Sequence, residues 1–321
     1  MQAVNWNTQE DYVNRFWNQN IMQFWVDTEF PISDDIASWN ALTPDERDVF
    51  TKVLAGLTGL DTQQGGEGMP LLSVHTPDLR KRSVLSFMGM MEQIHAKSYS
   101  TIFTTLIPQR ETAYLLDEWV KSEPHLEYKS HAIGTYYRAL LDRDPSRFNI
   151  YMAHVASVAL ESALFFSGFY YPLYLSGTGR MSTSGEVIRK ILIDESIHGL
   201  YVGQLAQELY ADFTDSERAL VRNHVETMFD NLLANEVGYT RAIYDKIGLS
   251  DDVIRYVKYN FDKALMVLGF EARYLPAPFN PVVENGLSTK TTQHDFFSKK
   301  GDSYVLSVNS EPFQPGDFIF A

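Results

Sequence analysis

The sequence predicts an all-α protein, a helical bundle with a four-helix core, extra helices and a flexible C-terminal tail. Long segments place apolar residues at helical spacing, and capping residues and prolines mark helix starts. Apolar residues make up 45% of the 321 residues, which is ample for a sizeable core, while charged residues make up only 21%. We therefore expect one helical domain over residues 1–285 and a tail over residues 286–321.

The first long helix is predicted from a capping box. Thr43-Pro44-Asp45-Glu46 offers a capping hydroxyl, a proline at the first helical position and a carboxylate three residues after the cap. This helix contains Asp61. We expect it to end near Gln64, because a glycine-rich stretch, 65–68, and Pro70 follow.

Later helices are bounded by similar signals. Thr76-Pro77, Asp144-Pro145 and Ser184 can each start a helix, and Thr214 with Glu217 repeats the capping box. A short hairpin near 270–285 is left open. The signals together predict helices over about 77–106, 109–121, 124–142, 145 to beyond Glu161, 184–210, 215–247 and 250–268.

Two copies of one short pattern carry the chemistry of this sequence. Glu92-Gln93-Ile94-His95 and Glu195-Ser196-Ile197-His198 each place a carboxylate and an imidazole three residues apart in a predicted helix. Positions i and i+3 lie about 60° apart and one turn along, so both side chains reach the same point. Two such pairs, with one carboxylate from each of two further helices, form the two-metal cage of ferritin-like carboxylate proteins. Asp61 and Glu161 can supply these carboxylates.

The alternative is that these side chains are ordinary polar residues of the core. Only His95 and His198, of eight histidines, have a glutamate three residues before them, and a single such motif is weak evidence. Two copies in apolar helices favour a metal site, because burying that many ionisable groups without a cation is costly. Four carboxylates and two imidazoles suit iron or manganese. The chemistry expected is activation of dioxygen or peroxide, or metal storage.

Three aromatic residues lie near the predicted ligands. Tyr99 follows His95 by four residues, so it lies near the ligand face of the helix and can form a phenoxyl radical beside an oxidising metal pair. Phe165 and Phe169 follow Glu161 by four and eight residues and can shield such a radical from water. Taken alone, the two phenylalanines are better interpreted as plain core residues.

Bulk composition excludes several classes of function. The net charge of −14 argues against nucleic-acid binding, which usually requires a basic surface. The chain has no cysteine, which excludes a disulfide or a thiolate site and suits a reducing cytosol. Met1–Trp6 lacks a signal-peptide profile, and the apolar stretch 155–175 contains a glutamate and a proline. We therefore expect a cytoplasmic protein with no membrane span.

The residues that carry this chemistry resemble the small, radical-generating subunit of class I ribonucleotide reductase. The resemblance covers most of the chain. The run His95-Ala96-Lys97-Ser98-Tyr99 and the Ser-Gly-Phe-Tyr at 167–170 are most similar to subclass Ib, which uses dimanganese or diiron. The segments that carry the resemblance are 59–62, 91–100, 161–169 and 194–199.

The resemblance implies a role for each matching residue. Tyr99 would carry a tyrosyl radical generated by the metal pair. Trp25, Asp194 and Tyr304 match residues that, with a ligand histidine, relay the radical towards the large subunit. The ligands of two manganese or two iron ions would be Asp61, Glu92, His95, Glu161, Glu195 and His198.

The resemblance also implies partners. The chain would form a homodimer and dock through its tail, 286–321, on the large catalytic subunit, which binds the ribonucleotide and supplies reducing cysteines. The absence of cysteine here fits that division of labour. Subclass Ib implies in addition a flavodoxin-like activating protein that supplies superoxide to a dimanganese centre.

Other classes of protein remain open from the residues alone. A dimetal oxidase on the same bundle would lack the docking tail and often keeps a substrate channel beside the metals. A ferroxidase or iron-storage protein is usually shorter and needs neither Trp25 nor the tail. A helical protein that only binds a partner is a remote third alternative.

Overall fold

The computed structural model describes residues 2–6 and 11–283. Its regular elements are all helices, and no β strand occurs in these ranges, which confirms the all-α prediction and excludes a hairpin over 270–283. The α-helices of this part of the chain are α1 (Tyr12–Met22), α2 (Ile36–Ala41), α3 (Pro44–Gln63), α4 (Met69–Val74), α5 (Leu79–Leu106), α6 (Gln109–Ala113), α7 (Val120–Ser122), α8 (Pro124–Arg138), α9 (Arg147–Ala159), α10 (Phe166–Gly177), α11 (Ser182–Ala211), α12 (Asp215–Tyr244) and α13 (Ser250–Val267).

Short segments of other helical geometry join several of these helices. A π-helix closes an i→i+5 hydrogen bond and so adds a residue to one turn, which re-aims the side chains that follow it. The π segments are Gln64–Gly68, Tyr114–Trp119 and Leu160–Leu164. The 3₁₀ segments are Asp27–Glu29, Ile32–Asp35, Ala139–Leu141 and Asp245–Ile247.

Four helical segments form the centre of the bundle. They are α3, α5, α11, and α9 together with the π segment Leu160–Leu164 that follows it. Helix α5 packs against α3, α11 packs against α9 and α10, and the π segment Leu160–Leu164 contacts both α9 and α11. Their facing side chains belong to one continuous cluster of buried apolar residues. Burial of this apolar surface is the main favourable contribution to folding. The buried polar residues of these four segments therefore meet inside the core.

The two predicted capping boxes are confirmed. The backbone N–H of Thr43 donates to Glu46 Oε2 at 2.8 Å, and the N–H of Glu46 donates back to Thr43 Oγ1 at 3.2 Å. The same reciprocal pair joins Thr214 and Glu217 at the start of α12. These contacts satisfy N–H groups that have no partner within the helix.

Three predicted helix starts are displaced by a few residues. Helix α5 is capped by the Asp78 side chain rather than begun at Thr76, and α9 is capped by Ser146 rather than begun at Asp144. Ser184 lies inside the first turn of α11, where its hydroxyl donates to Asp35 at 2.7 Å instead of capping the helix. In the first two cases, Asp78 and Ser146 have an extended backbone and a side-chain oxygen that accepts a hydrogen bond from the first turn, so they cap the helices.

The glycines after Gln64 do not end the helix, contrary to the prediction. Helix α3 continues through the π segment Gln64–Gly68 into α4. A Cβ at Gly65 would lie 2.8 Å from the Cβ of Glu92, so the missing side chain allows α5 to approach closely. The glycine therefore serves helix packing at the site. Helix α1 was not predicted from the sequence.

One helical stretch in the described residues, Arg147–Gly177, is long and apolar enough to cross a membrane. Its most apolar window is 89% buried inside the protein. Burial of this kind is what the core helix of a globular bundle shows.

Candidate metal centre

Six side chains from four helical segments converge at the middle of the bundle. All six are fully buried, with 0% of their surface exposed. Asp61 lies on α3, Glu161 lies in the π segment that follows α9, and each of the two Glu-x-x-His pairs lies on one long helix. The converging residues are Asp61, Glu92, His95, Glu161, Glu195 and His198.

The six side chains divide into two overlapping groups, each able to hold one metal ion. One group contains Asp61 and His95, and the other contains Glu161 and His198. Glu92 and Glu195 belong to both groups, and the candidate ligand atoms within each group lie within 4.8 Å of one another. Two carboxylates shared between two sites are suited to bridging a pair of metal ions.

The imidazoles face carboxylates that come from the other Glu-x-x-His helix. His95 Nδ1 lies 2.9 Å from Glu195 Oε1 and 3.6 Å from Glu92 Oε2. His198 Nδ1 lies 2.7 Å from Glu92 Oε1 and 3.7 Å from Glu161 Oε2. The two imidazole rings are nearly parallel, with centroids 6.0 Å apart. Each helix therefore contributes to both halves of the site.

Most of the converging oxygens have no hydrogen bond within the described residues. Both carboxylate oxygens of Asp61, Glu92 and Glu195, and Oε2 of Glu161, are buried without one. Leaving such groups buried and unsatisfied costs several kcal/mol each, on the order of 2–7 for a polar group and more for a charge. Coordination to cations removes this cost, so the donor set fits a pair of transition-metal ions.

The protonation of the cage also fits cation binding. Burial, joined by the charge of neighbouring carboxylates, raises the pKa of Asp61 and of Glu161 well above the usual range. Despite burial, the surrounding carboxylates hold the pKa of His95 and His198 above its usual value. Despite burial, its interactions with Glu161 and the nearby imidazoles hold the pKa of Glu195 below its usual value. Such a cage takes up divalent cations in exchange for protons.

Tyr99 lies on α5 one turn after His95 and is fully buried. Its hydroxyl has no hydrogen-bond partner in the described part of the chain. Burial raises the pKa of the phenol well above its usual value, and the negative charge of Asp61 raises it further. Tyr99 is therefore a neutral, water-shielded phenol close to a carboxylate of the centre.

A chain of contacts leads from the centre to the indole of Trp25. His95 Nε2 lies 3.0 Å from Asp194 Oδ2, and Trp25 Nε1 donates to the same oxygen at 2.7 Å. The Trp25 and His95 rings are stacked, with centroids 5.8 Å apart. Gln23 Nε2 donates to Asp194 Oδ1 at 2.8 Å, so both carboxylate oxygens are held. The structure brings Trp25 and Asp194 together with the candidate ligand His95.

A sequence model of the ribonucleotide reductase small chain matches residues 3–281. This match spans more than half of the chain. The chain belongs to the ribonucleotide reductase small-chain family.

Relatives in this family match nearly the whole chain. The ribonucleoside-diphosphate reductase subunit beta of Bacillus subtilis (strain 168) is 47% identical over 320 residues, which cover 99% of this chain and 96% of the relative. The subunit beta nrdF1 of Mycobacterium tuberculosis is 37% identical over 324 residues, which cover 99% of this chain and 97% of the relative.

A solved structure of the ribonucleotide reductase small-chain family has the same fold. The dimanganese(II)-NrdF of Streptococcus sanguinis superposes with a TM-score of 0.84 at 34% identity and covers 90% of this chain and 100% of that one. This likeness confirms the ferritin-like architecture. The NrdF names of the relatives agree with the class Ib resemblance found in the sequence.

The described residues do not test the roles predicted for Phe165, Phe169 and Tyr304. Phe165 and Phe169 are fully buried and pack against each other with ring centroids 5.9 Å apart. Neither ring forms a ring–ring contact with Tyr99 in the described residues, so their role as a radical shield stays a prediction. Tyr304 and the tail 286–321 lie outside the described residues.

The sequence reasoning missed two glutamines that contact the site. Gln23 binds Asp194, as described above, and Gln64 Nε2 donates to Glu161 Oε1. The second has a signal in the sequence, because Asp61 and Gln64 are three residues apart, the same spacing as the two Glu-x-x-His pairs. That spacing places Gln64 beside the ligand face of α3.

Proposed function

We propose that this chain is the radical-generating beta subunit of a class Ib ribonucleoside-diphosphate reductase, with Tyr99 as the radical site. The observation that carries the proposal is the continuous arrangement of a six-ligand cage, a buried phenol and a Trp25–Asp194–His95 contact chain. The family match over residues 3–281 and the names of the relatives support the activity.

The metal pair would be held by the six converging side chains, with Glu92 and Glu195 shared between the two ions. Once bound and oxidised by an oxygen species, two manganese or two iron ions would supply the one-electron oxidising power that a phenol requires. The relative of solved structure is named a dimanganese(II) protein, which supports manganese as one occupant here. The same ligand types accept iron, and metal supply decides between them.

The residues of the chain would then store and conduct the radical. Tyr99 would give up an electron and its hydroxyl proton. The carboxylate of Asp61, whose charge acts on the phenol, would receive that proton. Burial of Tyr99 keeps water away from the radical. His95, Asp194 and Trp25 would carry the oxidising equivalent outward, and Tyr304 would pass it to the large subunit.

The proposal includes the partners of the chain. A ribonucleotide reductase small subunit works with a large catalytic subunit, which would bind the ribonucleotide and reduce it with its own cysteines. We propose further that the chain forms a homodimer, that a flavodoxin-like protein activates a dimanganese centre, and that Phe165 and Phe169 shield the radical. The chain would act in the cytoplasm, without a membrane or nucleic acid as partner.

The Trp25 contact chain favours this function over a ferroxidase or a stand-alone dimetal oxidase. A ferroxidase needs no hydrogen-bonded indole leading from a ligand histidine towards the protein exterior, whereas a subunit that exports a radical does. In a free-standing oxidase, the same contacts would let the oxidising equivalent leave the metal centre along the Trp25 chain.

Metal analysis and electron paramagnetic resonance on the full chain test the proposal. We expect two ions per chain and a tyrosyl signal after activation with iron and oxygen, or with manganese, the flavoprotein and oxygen. Addition of the large subunit should then give deoxyribonucleotides from ribonucleoside diphosphates. A chain that turns over iron without a radical and never supports nucleotide reduction would instead be a ferroxidase.

A further inference from the structure

The carboxylates of the centre differ in how their oxygens are engaged. Asp61, Glu92 and Glu195 each leave both oxygens without a hydrogen bond in the described residues. Glu161 leaves only Oε2 free, because Oε1 accepts a hydrogen bond from the side-chain amide of Gln64. Glu161 therefore presents one free oxygen to the centre, whereas each of the other three carboxylates presents two.

The amide of Gln64 is held in one orientation by two further contacts. Its Nε2 also donates to Ser157 Oγ at 2.8 Å, and its Oε1 accepts from the Tyr137 hydroxyl at 2.5 Å. When Glu161 is ionised, as a metal ligand must be, turning the amide over would place the amide oxygen against a carboxylate oxygen, which is repulsive. Burial raises the pKa of Tyr137 well above its usual value, so the phenol remains a donor at neutral pH. Gln64, Ser157 and Tyr137 are all fully buried.

The backbone around this contact is built for close approach. Gln64 opens the π segment Gln64–Gly68, and Glu161 lies in the π segment Leu160–Leu164. A Cβ at Gly68 would lie 2.8 Å from Cε2 and Cζ of Tyr137, so the glycine leaves room for the ring. Single π-helical turns, which contain one extra residue, often occur at functional sites.

We infer that Gln64 is a positioning residue that restrains Glu161 to one-oxygen ligation and so tunes one of the two metal sites. Tyr137 orients the Gln64 amide in this arrangement. Groups that hydrogen-bond to metal ligands orient those ligands, and their loss typically costs about 10–100-fold in metal affinity. Because Glu161 belongs only to the group that contains His198, the effect falls on one ion of the pair.

This inference rests on the two-ion centre proposed above, and titration of the full-length protein with Mn²⁺ tests both. Free Mn²⁺ is measured by electron paramagnetic resonance under anaerobic conditions, with no turnover required. Wild-type protein should bind two ions per chain. In Gln64→Met, which removes the donor at nearly constant volume, affinity for one ion should fall about 10–100-fold while the other ion binds as in wild type.

Two further variants complete this test, one as a control and one that alters the orientation of the Gln64 amide. Gln63→Met is the matched control, because the Gln63 amide donates to the Ser130 backbone oxygen at 3.0 Å and forms no hydrogen bond with a candidate ligand in the described residues. This variant should bind both ions normally. Tyr137→Phe keeps Gln64 but removes the hydroxyl that orients it, and should weaken the same single site to a smaller degree. If Gln64→Met fails to fold, the metal affinity of Tyr137→Phe tests the role of Gln64 instead.

Four results would contradict this inference or the two-ion centre on which it rests. Wild-type protein that cannot bind two ions would remove the proposed centre itself. Two ions bound with unchanged affinity in both Gln64→Met and Tyr137→Phe would remove only the role of Gln64. Equal weakening of both ions would show a general structural effect. A crystal structure of manganese-loaded Gln64→Met should show Glu161 ligating through both oxygens, and one-oxygen ligation there would contradict the restraint.

Discussion

The indole nitrogen of Trp25 donates a 2.7 Å hydrogen bond to Asp194 Oδ2, the same oxygen that lies 3.0 Å from His95 Nε2. One carboxylate oxygen thus links the imidazole of a candidate metal ligand to an aromatic side chain that is fully buried. The contact joins α11 to residues between α1 and α2, which lie far apart in sequence. Under the function proposed above, it would give the centre an exit for an electron and a proton.

Replacing Trp25 tests this exit. Trp25→Phe keeps a ring in the cavity but removes the N–H, so the Tyr99 radical should form normally while turnover with the large subunit is lost. Radical content is measured by paramagnetic resonance and turnover by deoxyribonucleotide formation. Trp39→Phe is the matched control, because Trp39 is a buried core residue that packs on Phe50 outside this chain of contacts. Retained turnover in Trp25→Phe would exclude the indole from the relay.

Replacing Tyr99 tests the site of the radical. Tyr99→Phe removes a hydroxyl that has no hydrogen-bond partner in the described residues, so folding and metal binding should be unaffected. The tyrosyl signal should be absent after activation. Tyr151→Phe removes another buried, unpartnered hydroxyl and should keep the signal. A tyrosyl spectrum that persists in Tyr99→Phe and vanishes in Tyr151→Phe would move the radical to the other phenol.

A buried ion pair outside the centre provides a prediction on stability. Lys129 Nζ lies 2.8 Å from Glu236 Oε2, and the two side chains are 1% and 0% exposed. Ser167 donates to the other oxygen of Glu236, and the ammonium lies 4.1 Å from the ring centroid of Tyr239. Lys129→Met leaves a buried carboxylate without its cation, so the free energy of unfolding should fall by about 3–5 kcal/mol in denaturant titrations.

The double variant Lys129→Met/Glu236→Leu isolates the cause. It removes both charges and should recover most of the lost stability, because an apolar pair of similar volume is close to neutral relative to a buried ion pair. Lys52→Met, at a partly exposed pair with Asp48, should cost less than about 1 kcal/mol. A double variant as unstable as Lys129→Met would place the cost in packing rather than in the unpaired charge.

The buried imidazole of His154 predicts a pH dependence of stability. Burial, with a smaller contribution from the charge of nearby His75, lowers the pKa of His154 from 6.5 to about 4. The unfolded chain therefore binds this proton at higher pH than the folded chain does. The contribution is fully present above pH 6.5 and is lost as pH falls towards about 4, with a slope of up to about 1.4 kcal/mol per pH unit.

Denaturant titrations at several pH values check this slope. The matched comparison is His154→Gln, which keeps a polar side chain but has no proton to bind in this window, so its stability should fall less steeply between pH 6.5 and 4. His224→Gln is the control, because that histidine is exposed and should leave the slope unchanged. Identical slopes in wild type and His154→Gln would show that other groups carry the pH dependence.

Much of the centre was predictable because its parts are local. A Glu-x-x-His pair is aligned by helix geometry itself, so its two side chains meet wherever the helix goes. The capping boxes at Thr43 and Thr214 were predictable for the same reason, since each is closed by residues three positions apart. The assignment of Trp25 and Asp194 came from family resemblance, and no local pattern in either segment pointed to their contact.

The sequence by itself determined the helical class, the six candidate donor groups and the phase of each candidate on its helix. Tertiary structure alone decided which donors are shared, which imidazole contacts Asp194, and that Gln64 holds one oxygen of Glu161. It also turned the glycines after α3 from an expected helix end into a π segment packed on α5. The physical reason is range: contacts within a turn follow from backbone periodicity, whereas contacts between helices depend on how closely the packed core brings them together.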